Sequence, residues 1–327
     1  MSVVVTSSAI MGTLQEQKII LLDEQQLFLA QLESKGRSLN TLKNYKTDLD
    51  CFNNFLTQHQ TSLKIDSFTG KELSGYHDYL QVKYRSDNSR RRRVQTLRLF
   101  FDFLVKRSLF NHNPVRDSPP SPKFLDIPRP TPFSEIKTLW SYQVQNSDSK
   151  EELASLLMMR NQLITLLIFG AGLKVSDLFQ LKSKHIIVEG RECRVMIAHA
   201  KGGPYTVPLP PVFKKIFSRY SKLLEQLKSR AIIEFDQLLF NANPHKILSA
   251  GITPRGVELV FADLRKKLLL TVNPKSLRQA CIFKWITKQR KDAQIKEWLG
   301  VAPSYSLKPY KESAATHHYT DSFLEEI

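Results

Sequence analysis

NPKSLRQACIFKWITKQRKDAQIKEWLGVAPSYSLKPY, residues 273–310, carries an arginine at the start of a helix, an amphipathic helix pair, and a tyrosine in a short polar segment at its end. Arg278 offers a planar fork of N–H donors that matches phosphate and never deprotonates. Tyr310 offers a phenol, a nucleophile whose ester remains a good leaving group, so a bond made to it can be reversed. Working outward, the chain reads as mainly α-helical with a small antiparallel β-sheet.

Upstream lie a helix capped by Thr253, PRGVELVFADLRKKL, and another, VFKKIFSRYSKLLEQL. Before them come HIIVE, RVMIAH and YTVPL, short β-branched runs around the turn Lys201-Gly202-Gly203-Pro204, which read as a hairpin sheet. A helix capped at Ser134, SEIKTLW, and a long apolar helix at RNQLITLLIFGAG open this half. Between Pro114 and Pro132 lie seven of the 16 prolines, a density that prevents helix and favours an extended linker. The expected organisation is therefore a helical domain over residues 15–112, a linker over 113–132 and a mixed domain over 133–327.

The N-terminal half reads as four amphipathic helices, an all-α bundle. DEQQLFLAQL predicts a short helix stopped near Gly36. Ser38 caps a helix with Leu42, Tyr45, Leu49, Phe52 and Leu56 on one stripe. Thr69 precedes a helix with Leu73, Tyr76 and Leu80, and a fourth carries Val94, Leu97, Phe101 and Leu104. That fourth helix is expected to begin at Arg90, Arg91, Arg92 and Arg93. Cations at a helix N-terminus oppose its dipole and repel one another, so phosphate contact is the expected return.

The chain has 327 residues, enough for two cores, with 42% hydrophobic and 24% charged residues. Its 48 Lys and Arg against 31 Asp and Glu give +17, which favours a polyanionic partner through counterion release. Cys51, Cys193 and Cys281 are scattered, so neither a disulfide framework nor a zinc site is indicated. No basic leader is evident, and no stretch reads as a span of ~20 apolar residues, so a cytoplasmic protein is expected. There is no Walker A, G-x-G-x-x-G or H-E-x-x-H pattern, and no cofactor or metal is expected.

The 273–310 stretch resembles the C-terminal active-site segment of tyrosine recombinases, the phage integrase and Xer-type family, with its P-H-x-L-R-H, L-G-H and Y pattern. GAGLKVSDLFQL resembles the family's T-G-L-R-x-S-E-L, and AKGGPYTVPL its G-K-G-x-K-x-R-x-V-P-L. S-L-N-T-L-K-N-Y, which includes Lys43, and FFDFLVKRSLFNHNPV resemble the family's core-binding domain. The resemblance implies a SAM-like helical domain and a catalytic domain that clamp double-stranded DNA, acting as a homo- or hetero-tetramer on paired sites. It assigns Tyr310 as the nucleophile, Arg278, Lys174 and Lys275 as phosphate-binding cations, Lys201 as the acid and Val301 as the late His/Trp position. Tyr310, rather than Tyr305 or Tyr319, keeps the spacing to Leu299-Gly300. DNA contacts are expected from Lys43 and from Arg90 to Arg93, and the tail with Phe323, Leu324 and Ile327 is expected to dock on a neighbouring protomer.

At three positions the chain departs from the family pattern: Lys275 replaces a histidine but can still bind phosphate, and the other two weigh more. Lys174 replaces an arginine, and losing one preorganised donor costs on the order of 2.7–4 kcal/mol in the transition state. Val301 has no hydrogen-bond donor at all. Both predict slow cleavage by a site-specific recombinase. A DNA-binding relative that has lost the chemistry is the alternative, and a type IB-like topoisomerase is a third reading.

Overall fold

Helix α1 runs over Ser7–Ser34, longer than the short helix expected around residues 23–32, and the chain turns after it at Gly36 with φ 73°. The computed structural model describes residues 7–59, 70–117, 128–190, 192–198, 203–242, 248–249 and 251–314, with backbone alone over 7–20 and 70–74. The chain divides into two compact units, Met1–Lys123 and Phe124–Ile327.

In the first unit α1 is followed by α2 (Leu39–Gln58), α3 (Gly70–Lys83), α4 (Asp87–Lys106) and a 3₁₀ turn, Pro114–Arg116. Ser38 caps α2 by accepting from the Thr41 N–H. Leu49, Phe52 and Leu56 of α2 meet Tyr76 and Leu80 of α3 and Val94, Leu97, Phe101 and Leu104 of α4 in one core. Thr69 and the Leu73 side chain lie outside the described residues. Aromatic edges fill this core: Phe28 meets Phe100 at 5.6 Å and Phe52 meets Tyr76 at 5.1 Å between ring centroids. Pro114 belongs to this packing rather than to a linker. Asn113 caps the 3₁₀ turn and donates to the Arg98 carbonyl, and Arg98 in turn donates to the Val115 carbonyl. Pro119, Pro120 and Pro122 lie outside the described residues.

The second unit opens with α5 (Phe133–Gln145) and α6 (Glu152–Thr165), and α6 passes directly into a π-helical turn, Leu166–Gly170. Ser134 does not cap α5: the helix already starts at Phe133, after Pro132. The stretch Glu152–Gly170 is apolar and long enough to cross a membrane, contrary to expectation, but 72% of its window is buried, as in a core helix. Next come α7 (Val175–Phe179), β1 (Ile186–Glu189), β2 (Glu192–Ile197) and β3 (Tyr205–Pro208), a three-stranded antiparallel sheet in which Val195 faces Val207 and Ile197 faces Tyr205. Helix α8 (Pro211–Ala231) precedes a ribbon of β4 (Asn241–Ala242) and β5 (Leu248–Ser249), whose two-residue strands are too short to show a sequence pattern. The chain closes with α9 (Pro254–Leu268), α10 (Pro274–Thr287), α11 (Asp292–Trp298) and α12 (Lys308–Ala314). Thr253 caps α9 as expected. The π turn is fully buried and packs against α10, so the core of this unit lies directly beneath the helix that bears Arg278.

Candidate active site

Helix α10 is fixed at its start by a reciprocal cap, in which Asn273 Oδ1 accepts from the Ser276 N–H and Ser276 Oγ accepts from the Asn273 N–H. Thr131 ties the same turn down by donating its N–H to the Ser276 carbonyl at 3.1 Å. Lys275 is exposed and Arg278 half-buried on that first turn, at the i, i+3 spacing that places two side chains on one face. Arg278 Nε donates to the Gly172 carbonyl at 2.6 Å, which orients the guanidinium. Gly172 accepts this role because of its backbone: its φ is 66°, and a Cβ there would lie 2.7 Å from the Trp285 ring.

Lys174 follows two residues later, exposed, at the entry to α7. Asp177 caps that entry, its Oδ2 accepting from the Lys174 N–H at 2.9 Å. The carboxylate is thus bound to the lysine's backbone, which leaves the ammonium outside the cap. Lys201 lies outside the described residues, but β3 begins shortly after it.

Tyr310 is half-buried on α12, with its ring edge-on to Phe283 of α10 at 6.0 Å. Lys311 pairs with Asp292 at 2.8 Å, so α12 is held to the start of α11 as well. Burial, then the Tyr305 hydroxyl, push the Tyr310 phenol well above its usual range, whereas Arg278 and Gln279 pull it down. Arg278 therefore lies within electrostatic reach of Tyr310. Val301 packs against the core just after Gly300, where α11 stops in a left-handed turn with φ 59°. Tyr319, Phe323, Leu324 and Ile327 lie outside the described residues.

Four residues not anticipated as site residues complete the setting. Gln279 and Tyr305 flank the phenol, Tyr205 stands over Gly300, and Trp285 sits beneath Gly172. None of these carries a local pattern that separates it from an ordinary core or loop residue. Among the described residues, no cluster of three or more His, Cys, Asp or Glu is arranged to hold a metal ion.

The arginine run is placed differently from expectation. Helix α4 starts at Asp87, so the run follows an acidic first turn instead of opening the helix, and Arg90 pairs with Asp87. Arg93 is buried, stacked 3.7 Å over the Tyr84 ring, with Nη1 donating to the Ser89 carbonyl. Its first role is packing. Arg92 reaches the buried Asp48 at 2.8 Å and Asn44 at 3.0 Å, leaving its side chain 44% exposed. Lys43, beside Asn44 on α2, is exposed.

A phage integrase N-terminal SAM-like domain model matches residues 26–108. The tyrosine recombinase XerC of Anoxybacillus flavithermus is 25% identical over 295 residues, 89% of this chain and 93% of that one. Lambda integrase, solved as a dimer on a COC′ core site, is similar with a TM-score of 0.66 and 17% identity, covering 92% of this chain and 98% of that one. A lambda integrase tetramer on a Holliday junction gives 0.62 and 18%, covering 88% and 79%. A SAM-like helical unit followed by a helical unit with a three-stranded edge defines the integrase class of fold. Over 89% of its length the chain is similar to a tyrosine recombinase, and its first unit matches the phage integrase SAM-like domain.

Proposed function

We propose that the protein is a site-specific DNA recombinase that cuts and rejoins double-stranded DNA through a 3′-phosphotyrosyl intermediate. Its relatives include XerC recombinases and lambda integrase, the latter seen as a dimer on a core site and as a tetramer on a Holliday junction. The observation that carries the mechanism is the seating of Tyr310 against Phe283 of α10, the helix that bears Arg278. The Tyr310 oxygen attacks phosphorus, the bond to the 5′ oxygen breaks, and that oxygen leaves with a proton from the acid Lys201. Attack by a 5′ hydroxyl then reverses the step and releases the tyrosine. Arg278 and Lys275 address the non-bridging oxygens from one helix turn, and Lys174 adds a point charge in place of a fork. The assembly is a tetramer on paired sites, working on DNA inside the cell, in its cytoplasm. Residues 15–112 form the core-binding domain and 133–327 the catalytic domain.

Burial and Tyr305 raise the phenol, against Arg278 and Gln279, which lower it, so Tyr310 has to lose its proton during attack. The test is suicide-substrate trapping on nicked duplexes, read as a covalent adduct on a denaturing gel. Wild-type protein is expected to form the adduct slowly, Tyr310→Phe to form none, and Lys174→Arg to speed it by about 10²-fold. Clear gel-shift binding with no adduct from wild type or from Lys174→Arg would refute the recombinase reading and leave a DNA-binding protein.

A further inference from the structure

Val301 occupies the position at which the family pattern has a hydrogen-bonding side chain, and an isopropyl group offers no donor. A hydroxyl nevertheless lies against its neighbour Gly300. Tyr205, the first residue of β3, rests its ring on Gly300: a Cβ there would fall 2.5 Å from Tyr205 Cε1, 2.6 Å from Cζ and 2.7 Å from the hydroxyl oxygen. The phenol therefore ends against the residue immediately before Val301. Pairing of Tyr205 with Ile197 across β2 fixes the strand that presents it. The left-handed turn at Gly300, with no side chain, leaves the gap that the ring fills.

The same hydroxyl lies in the fields of Asp177 and Arg278, so it shares the neighbourhood of the candidate phosphate-binding arginine. Burial and then Asp177 push this phenol up to about 12, which keeps it a donor across the neutral range. We propose that Tyr205 is a catalytic residue that donates a hydrogen bond to the non-bridging oxygen of the scissile phosphate left unserved by Val301. This inference rests on the recombinase reading above. No covalent bond forms at Tyr205, and its neutral O–H adds a dipole to the charge that Arg278 supplies. The sequence pattern misses it because the hydroxyl comes from the hairpin strand and not from the α11–α12 connection.

Adduct formation on the nicked duplex, run with wild type, Tyr205→Phe, Val301→His and the double variant, tests it. Tyr205→Phe keeps the ring on Gly300, so the thermal midpoint and the gel-shift midpoint are expected to stay unchanged while adduct formation slows by about 10²-fold. Val301→His in that background is expected to restore the rate, since it returns a donor to the same oxygen. An adduct formed by Tyr205→Phe at the wild-type rate would overturn the donor role and leave the recombinase reading standing. So would a slow Tyr205→Phe that Val301→His fails to restore, or an adduct seen only once histidine is at 301. No adduct from any of the four proteins would end both.

Discussion

At Gly172 the backbone turns with φ 66° against the Trp285 ring and hands its carbonyl to Arg278 Nε at 2.6 Å. Any side chain there meets two separate penalties. A left-handed non-glycine residue costs roughly 1–2 kcal/mol, and overpacking against a rigid ring typically adds about 1–3 kcal/mol. Gly190 has a similar φ of 56° but nothing within 4 Å of its would-be Cβ, so it isolates the first penalty. Gly172→Ala is therefore expected to lose about twice the stability that Gly190→Ala loses, and to slow adduct formation, because the carbonyl that orients Arg278 moves with the turn. Urea denaturation followed by tryptophan fluorescence checks this, since Trp140, Trp285 and Trp298 all lie in the second unit. Equal losses would show that Trp285 yields without cost. At this scale the sequence marked Arg278, Lys174 and Tyr310 because their types and spacing are local. It could not mark Trp285 or Tyr205, whose contacts with Gly172 and Gly300 join segments far apart in the chain.

Helix α10 carries both the candidate phosphate-binding cations and a buried ammonium. Its outer face bears Lys275 and Arg278, whereas Lys284 is buried with its ammonium 4.3 Å from the Phe169 ring centroid on the π turn. Burial, the largest cause, holds the Lys284 ammonium down to about 8, against 10.5 ordinarily, and nearby Lys288 acts the same way. The folded state thus binds this proton less tightly than the unfolded chain does. Between about pH 8 and pH 10.5 the unfolded state holds the extra proton, so stability from this group rises with pH, and its penalty is complete below pH 8. The gap amounts to roughly 3 kcal/mol at most. Lys284→Met is expected to gain roughly 1–3 kcal/mol at pH 7, an advantage that shrinks toward zero above pH 10.5. Urea titrations of both proteins at pH 7, 9 and 10.5 decide it; an advantage that stays constant with pH would mean that packing, not charge, sets the difference. The element boundaries were legible where a cap announced them, as at Ser38 and Thr253, because a cap is a local hydrogen bond. They were not legible at α4, where Asp87 draws the helix start back past the arginines, nor at α1, which runs from Ser7 well before the helix expected at residue 23.

For the whole molecule the governing quantity is a net charge of +17, which predicts DNA affinity that falls steeply with salt. Composition fixes that trend but not which cations produce it, and Arg90, Arg92 and Arg93 illustrate the difference. Arg93 is buried against Tyr84, and the Arg90 side chain is 28% exposed and paired with Asp87, so neither is expected to set the salt slope. Lys43 is exposed, and Arg92 stays 44% exposed while tied through Asn44 and Asp48 to the same stretch of α2. These two are the cations of α2 and α4 expected to reach phosphate. Each phosphate contact contributes about 0.9 to the slope of log affinity against log salt, so Lys43→Ala with Arg92→Ala is expected to flatten it by about 2. Arg93→Ala is expected to leave the slope unchanged and to lower the thermal midpoint of the first unit, because it empties a buried stacking site and strips a partner from Asp48. Binding measured from 50 to 400 mM salt separates the two: an unchanged slope in Lys43→Ala with Arg92→Ala would move the phosphate contacts off this pair, whereas a flattened slope in Arg93→Ala would make the buried arginine a DNA ligand after all.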